Sequence, residues 1–410
     1  MMKNIFLGIL VCVSVTVRAG LLIVDNHRST YKIIIPANPA SQEIRAAEIL
    51  QKYIHRTANC LLPISEQTIS QPSGIATPDK SAGEDAVIIR FSPLITDPDG
   101  FMIQTSGNQL FITGGSHKGC IYGVIDLLEK YIGCRRYSPD YVVAPKNDMV
   151  YLPDLDYSDA PVNQVRIING TFCKDEDYLD FQRLNTIEEL YPQGYYVHTF
   201  QRLMPWEQYF EEHPDYFALM NGKRIIDQPC LSNPEVLTIT LDKLREEMKK
   251  QPDKQLWSVS QNDNFSYCTC DACMKVIREE GSAAGPVIRF VNNVAKEFPD
   301  KTISTLAYQY SRKAPVRTKP EDNVQVMLCT IELNRSLPIR DDPESVSFKK
   351  DMKDWGKICN QIYLWDYTVN FSHHVSPFPN MHVLQSNIRL FTENNIHEHF
   401  QQSNTGNGHE

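Results

Sequence analysis

The sequence predicts an α/β protein in two parts, an N-terminal two-layer α/β domain followed by a (β/α)8-type barrel truncated before its last strand. Three observations predict it. The chain has 410 residues, room for two or three domains. Residues 21–131 read as two strands, a helix, three strands and a second helix. From residue 165 onward, seven apolar strand-like runs alternate with amphipathic helical stretches, the pattern of parallel βα units. A doubly wound open sheet is the structural alternative for this second part.

Composition narrows the function. Hydrophobic residues make up 42 % and charged residues 22 %, enough apolar side chain to build cores rather than remain disordered. The net charge of −9 argues against a nucleic-acid partner, which needs basic surface. Aromatic residues reach 10 % and suit sugar ligands, whose C–H faces stack on rings.

The elements follow in order. Lys3 precedes an apolar stretch at residues 5–17, and Ala19 closes it. This reads as a secretory signal peptide over residues 1–19, cut near Ala19, for a secreted or periplasmic protein. The stretch is too short to span a membrane, and no later segment is apolar enough to do so. A lipid anchor on Cys12 is disfavoured by the bulky Val11 before it. Residues 20–153 form the first domain. Strands are expected at 21–24, 31–35, 86–91, 101–104 and 110–113, the last two as a hairpin around Gly107-Asn108. Apolar residues Ile44, Ala47, Ile49, Leu50 and Ile54 recur at helical spacing over 41–57, with Ser41 as the expected cap. Residues 67–84 carry Pro72, Gly74, Pro78 and Gly83 and read as a loop. Gly114-Gly115 is a tight strand-to-helix turn rather than a phosphate cradle, because neither G-x-G-x-x-G nor a P-loop is present.

The barrel is assigned residues 156–410. Its strands are expected at 165–168, 195–199, 256–260, 303–308, 324–330, 362–365 and 396–400, and its helices at 235–250, 271–280, 286–298, 346–358 and 381–393. With seven strands, the first and seventh should leave open edges, and the polar residues 401–410 should be poorly ordered.

Barrel enzymes place active residues at the C-terminal ends of strands. Here those ends supply Asp263, Glu332 and Asp366 as candidate catalytic carboxylates, and His198, Asn262, Tyr308 and Trp365 as candidate substrate-binding groups. A glycosidase needs one protonated and one ionised carboxyl group, and this rim of acids, amides and rings suits neutral polyhydroxylated ligands. Cys268-x-Cys270-x-x-Cys273, with Cys230, forms the densest cysteine set. It is either disulfide-bonded, for example Cys268–Cys273 or Cys230–Cys270, or a structural metal site. His213 and the His373-His374 pair read as hydrogen-bonding histidines, not ligands. No cofactor is called for, the partner expected is a carbohydrate substrate, and nothing in the sequence signals an oligomeric state.

Several runs resemble a known family. They are Gly194 to Phe200, Tyr209 to Leu219 with Asn221-Gly222-Lys223-Arg224, Cys230 to Glu235, Ser260-Gln-Asn-Asp263 with its cysteines, and Trp365-Asp366-Tyr367 with Pro377-Phe-Pro379. They resemble a domain of unknown function found in secreted bacterial proteins, whose barrel is similar to those of α-glucuronidases and β-hexosaminidases. Phe111 to Gly115, Gly119-x-x-Tyr122-Gly123 and Tyr137-Ser-Pro139 resemble the N-terminal α/β domain that precedes both barrels. The Asp-Glu dipeptide of hexosaminidases is absent from the strand ends, and the α-glucuronidase acid and bases have no motif match here. The catalytic assignments therefore rest on position. The resemblance implies a secreted α-glucuronidase-like glycoside hydrolase, with Asp263 or Glu332 as acid and Asp366 as base. A non-catalytic glycan-binding protein and a β-N-acetylhexosaminidase-like enzyme are the alternatives. The family continues past residue 410 with a helix and a strand, so the chain is expected to be a truncated form.

Overall fold

The computed structural model describes residues 20–69, 84–373 and 378–403. The expected signal peptide, the residues from 404 onward and His374 lie outside them. The chain divides into two units, Met1–Pro161 and Val162–Glu410.

The first unit contains β1 (Leu21–Val24), β2 (Lys32–Pro36), α1 (Ser41–Ala58), β3 (Ile64–Gln67), β4 (Ala86–Phe91), β5 (Phe101–Ser106), β6 (Gln109–Gly114), α2 (Gly119–Leu127), the short pair β7 (Arg135–Arg136) and β8 (Val142–Val143), β9 (Val150–Leu152) and β10 (Asp156–Asp159). Six strands form one sheet in the order β10-β5-β6-β4-β2-β3. Helix α1 buries Ala46, Ala47, Leu50, Tyr53 and Ile54, while Ile44 stays 41 % exposed. Ser41 does not cap this helix. Instead the buried Glu43 reaches back to the Ala40 N–H at 2.7 Å, and its other oxygen accepts from the Phe91 N–H at 2.7 Å. One carboxylate thus joins a helix start to a strand end. The Gly114-Gly115 turn is a matter of space: a Cβ on Gly115 would sit 2.0 Å from the Asp97 carbonyl oxygen. The boundary between the units differs from the sequence expectation. Residues 156–159 pair antiparallel with β5, Asp156 opposite Gln104, and so belong to the first unit.

The second unit opens with β11 (Val165–Ile168) and the short helices α3 (Glu176–Gln182), α4 (Ile187–Leu190), α5 (Phe200–Leu203) and α6 (Trp206–Tyr209). A hairpin follows, β12 (Phe217–Met220) and β13 (Lys223–Pro229), then α7 (Pro234–Lys250), β14 (Leu256–Ser258), α8 (Asp271–Glu280) and α9 (Ala284–Glu297). The unit ends with β15 (Thr302–Ala307), β16 (Val324–Cys329), α10 (Val346–Gly356), β17 (Ile362–Tyr367), α11 (Met381–Glu393) and β18 (Glu398–Gln402). Its sheet is parallel in the order β11-β18-β17-β16-β15-β14, a half-barrel with βα connections.

Two strand expectations are corrected. Residues 195–199 are not a strand. Gly194 and His198 take positive φ values of 82° and 55°, which breaks extended backbone on both sides. The segment still lies beside β14, with the Ser258 N–H donating to the Tyr195 carbonyl at 3.1 Å. The seventh run does not end on an open edge either. β18 pairs with β17 on one side and directly with β11 on the other, Val165 opposite Glu398 and Ile167 opposite Phe400.

The concave interior is a packed core. Ile167, Leu306, Met327, Tyr363 and Phe400 meet there with Tyr191, which comes from the irregular segment. Below them lies a polar floor. The Tyr191 hydroxyl donates to Gln325 at 2.9 Å, and the Gln325 amide donates to Glu398 at 2.5 Å. Burial raises the Glu398 carboxyl to about 7 from an ordinary 4.5. The folded state therefore holds a proton that the unfolded chain has released, and this contribution to stability is lost as pH rises from about 4.5 to about 7. Glu398→Gln should match the wild type in urea unfolding at about pH 4 and exceed it at about pH 8. A gap between the two proteins that does not change with pH would show that Glu398 titrates normally.

Candidate active site

The C-terminal ends of β15 to β18 open into a cleft of about 350 Å³. Strand alternation selects what enters it. Tyr308, Cys329, Trp365, Tyr367 and Gln402 line the cleft, together with Leu306, Ile331 and Phe371, and His198 and Asp263 arrive from loops.

Asp263 is exposed on the loop after β14, and its Oδ1 accepts the Tyr308 hydroxyl at 3.1 Å. Burial and the neighbouring Asp263 charge push the Tyr308 hydroxyl above its usual range, so it stays protonated and donates. The His198 Nδ1 lies 2.8 Å from the Gln261 carbonyl oxygen. A carbonyl only accepts, so Nδ1 carries the proton and Nε2 is left for the cleft. The His198 ring meets Tyr308 edge to face at 5.9 Å. His198 and Gln309 both adopt left-handed backbone at this rim, with φ of 55° and 51°, and such local strain concentrates at functional sites. Gln261, 1 % exposed, holds the group together. Its amide donates to the Tyr308 carbonyl at 3.2 Å and its side-chain oxygen accepts from Ser311 at 2.5 Å. Trp365 stacks on Tyr196 at 5.6 Å and donates its indole N–H to Gln402 at 2.9 Å. Burial raises the Cys329 thiol well above its usual range, which keeps it un-ionised and a poor nucleophile.

Three sequence-derived candidates fall elsewhere. Asp366 follows Trp365 on β17 and therefore points to the opposite face. It is 5 % exposed, and its oxygens accept from the Thr330 hydroxyl at 2.6 Å and the Gln401 amide at 3.3 Å, which ties β17 to its two neighbours. Asn262 is used internally, donating to the Asp227 carbonyl at 2.8 Å and accepting from the Gln201 N–H at 2.8 Å. Glu332 stands outside the cleft lining, next to Ile331, and pairs with Arg312 at 3.3 Å. Asp263, His198, Tyr308 and Trp365 are brought together. Tyr367, Phe371 and Gln402 were missed as site residues. The period of two along β17, counted from Trp365, points to Tyr367 rather than Asp366.

Cys230, Cys268, Cys270 and Cys273 also converge, their sulfurs all within 4.8 Å of one another. The disulfides offered as one alternative are not formed, since all four cysteines are free. His213 stacks flat on Tyr216 at 4.5 Å.

The profile of a family described as "Domain of unknown function (DUF4838)" matches residues 136–410, two thirds of the chain. The chain belongs to the DUF4838 family. No curated protein matches this DUF4838 chain. Among solved structures it is similar to a family GH115 4-O-methyl-α-glucuronidase with specificity for decorated arabinogalactans, at 10 % identity and TM-score 0.51, over 93 % of this chain and 55 % of that one. It is similar to a GH20 β-N-acetylhexosaminidase from Streptomyces coelicolor A3(2), at 10 % identity and TM-score 0.51, over 96 % and 85 %. A chitobiase from Flavobacterium johnsoniae gives 12 % identity and TM-score 0.52, over 94 % and 63 %. The chain thus spans little more than half the length of the first of these proteins. At such identities the likeness establishes the fold, that of glycoside hydrolases with a (β/α)8-type barrel. Among the described residues, no helix is long and apolar enough to cross a membrane.

The opposite orientations of Asp263 and Asp366 separate their roles. Asp366→Asn should lower unfolding stability by about 1–3 kcal/mol, because a buried acceptor oxygen becomes a donor facing Gln401 or Thr330. Asp263→Asn, at an exposed position, should change it by less than about 0.5 kcal/mol. Urea unfolding of the two variants checks this, and equal losses would mean that both carboxylates are structural.

Proposed function

We propose that this chain is a glycoside hydrolase in which Asp263 exchanges a proton with the glycosidic oxygen or with the attacking water. The observation that supports this best is the cleft itself. Its described lining combines four aromatic rings, Tyr308, Trp365, Tyr367 and Phe371, with one carboxylate and no Lys or Arg. Rings cover the C–H faces of a sugar, and the His198 Nε2 and the Gln402 amide can bond its hydroxyls. The Tyr308 hydroxyl donates to one oxygen of Asp263 and orients it, leaving the other oxygen for proton exchange.

Glycosidases that work with two carboxylates hold them roughly 5–9.5 Å apart, whereas in substrate-assisted enzymes the acetamido group of the sugar takes the place of the protein nucleophile and a protein carboxyl group still serves as acid and base. A single carboxylate in the described lining leaves no protein nucleophile beside Asp263, which fits an N-acetylhexosaminidase-like reaction in that respect, although the Asp-Glu dipeptide of hexosaminidases is absent from the strand ends. Under the two-carboxylate scheme, Glu332 is the group to be swung in, by release of Arg312. The α-glucuronidase-like specificity expected from the sequence would need a cation for the uronate, and His198 is the one group in the described lining able to carry that charge. The proposal also takes residues 1–19 as an export signal and the first unit as the accessory domain of such enzymes.

Aryl hexosides, 2-acetamido-hexosides and hexuronides should be compared on wild type and Asp263→Asn. Wild type should hydrolyse one class, the acetamido sugars foremost. Asp263→Asn should lose about 100-fold or more in kcat, with Kd for the product sugar changed only a few-fold. Binding without turnover for every class would make this a glycan-binding protein. Hydrolysis confined to hexuronides would restore the α-glucuronidase-like assignment. Neither binding nor turnover would remove the cleft as a sugar site.

A further inference from the structure

We infer that Cys230, Cys268, Cys270 and Cys273 form a tetrathiolate site for a zinc-class divalent cation, and that this ion pins the loop of residues 261–270 to the β12–β13 hairpin. The geometry is that of a metal site. The Cys230 sulfur stands 3.7 Å from that of Cys270 and 3.9 Å from that of Cys273. A tetrahedron with metal–sulfur bonds of about 2.3 Å has edges of about 3.8 Å, whereas a disulfide needs about 2.05 Å. Cys230 is near two partners at once, which suits a shared ion better than either pairwise bridge. Cys230, Cys268 and Cys273 are 4 %, 5 % and 1 % exposed. Once ionised, four sulfurs this close and this buried need their charge neutralised, which a divalent cation supplies.

The backbone holds the ligands in place. Cys230 directly follows β13 and donates its N–H to the Tyr216 carbonyl at 2.7 Å. The Leu219 N–H points at the Cys268 sulfur at 3.3 Å, and the Thr269 N–H donates back to the Leu219 carbonyl at 2.8 Å. The Ser232 hydroxyl lies 3.1 Å from the Cys273 sulfur. Such bonds orient ligands and stabilise thiolate charge. As the metal–sulfur bonds form, the thiol protons pass to solvent, and no oxidant or reductant is involved. All-sulfur tetrahedral donors select zinc or iron, and four cysteines are a common donor set of structural zinc.

The ion would close one end of a strap whose other end is made of amides. Gln228 on β13 donates to the Asn262 carbonyl and the Asn264 side chain, both at 2.9 Å, and accepts from the Asn262 N–H at 3.0 Å. The Ser266 hydroxyl donates to the Asp227 carboxylate at 2.7 Å. Asp263 lies inside this strap. Metal content and loop order can be measured whatever the cleft binds.

The full chain, purified without chelator, should contain about one zinc per molecule by elemental mass spectrometry. Cobalt exchanged into it should give thiolate-to-cobalt charge-transfer and tetrahedral d–d bands. Chelation should speed amide exchange across residues 259–273 while leaving α9 and β15 protected. Cys270→Ser, at the most exposed ligand, should bind zinc roughly tenfold or more weakly. Should that variant fail to fold, metal content and exchange on the native chain decide alone. A native chain with four alkylatable thiols and no metal, with mapped Cys230–Cys270 or Cys268–Cys273 disulfides, or with iron in place of zinc, would overturn the assignment.

Discussion

The strand-borne walls of the cleft follow from one constraint, the alternation of side chains along parallel strands whose register is held by backbone hydrogen bonds. On β17 the sequence Trp365-Asp366-Tyr367 divides into two rings that face the cavity and a carboxylate that faces away. The same rule brings Tyr308, Cys329 and Gln402 to the mouth and Phe400, Met327 and Leu306 to the layer beneath. A one-residue slip in β17 would turn Asp366 into the cleft and the Trp365 and Tyr367 rings away from it. The pairing of β18 between β11 and β17 matters for this reason, since it fixes the register where the chain returns to its first strand.

The carboxylate in the cleft stands apart from that rule, because Asp263 sits on a loop. Loops place catalytic groups well only when something rigid supports them. Here the support is a set of side-chain amides. The Gln261 side chain bridges the Tyr308 carbonyl to Ser311 while its backbone carbonyl accepts from the His198 ring, and Asn262 bridges the hairpin to the start of α5. Neutral amides can donate and accept at once, so each links two segments without adding a charge near the carboxylate.

Much of this was legible in the sequence, for physical reasons that can be named. The helices at 271–280 and 381–393 were read to the residue, because their apolar stripes are regular and Asp271 and Met381 follow clear breaks. The strand at 165–168 was equally plain. Residues 195–199 failed because apolar content alone suggested a strand, while Gly194 and His198 turn the chain by positive φ. The β12–β13 hairpin went unread although Asn221-Gly222, with φ of 49° and 75°, is the turn signal that favours such a hairpin. Asp366 and Asn262 were misplaced for a common reason: position at a strand end says that a residue is near the mouth, and only alternation and local hydrogen bonding say which way it faces. β10 has the polar sequence Asp-Tyr-Ser-Asp and offers no hydrophobic pattern, since its place comes from pairing with β5.

The pairing of β11 with β18 has a consequence for the order of events during synthesis. The first strand of the half-barrel leaves the ribosome with its neighbour more than two hundred residues behind it. Until Glu398–Gln402 emerges, neither Val165–Ile168 nor Ile362–Tyr367 has its partner on that side, and the Tyr191 plug has no closed interior to fill. The unit therefore belongs to the slow, high-contact-order class, with exposed strand edges while translation lasts. Its first unit carries no such debt to the distal chain, because its sheet is complete once Asp159 has been made.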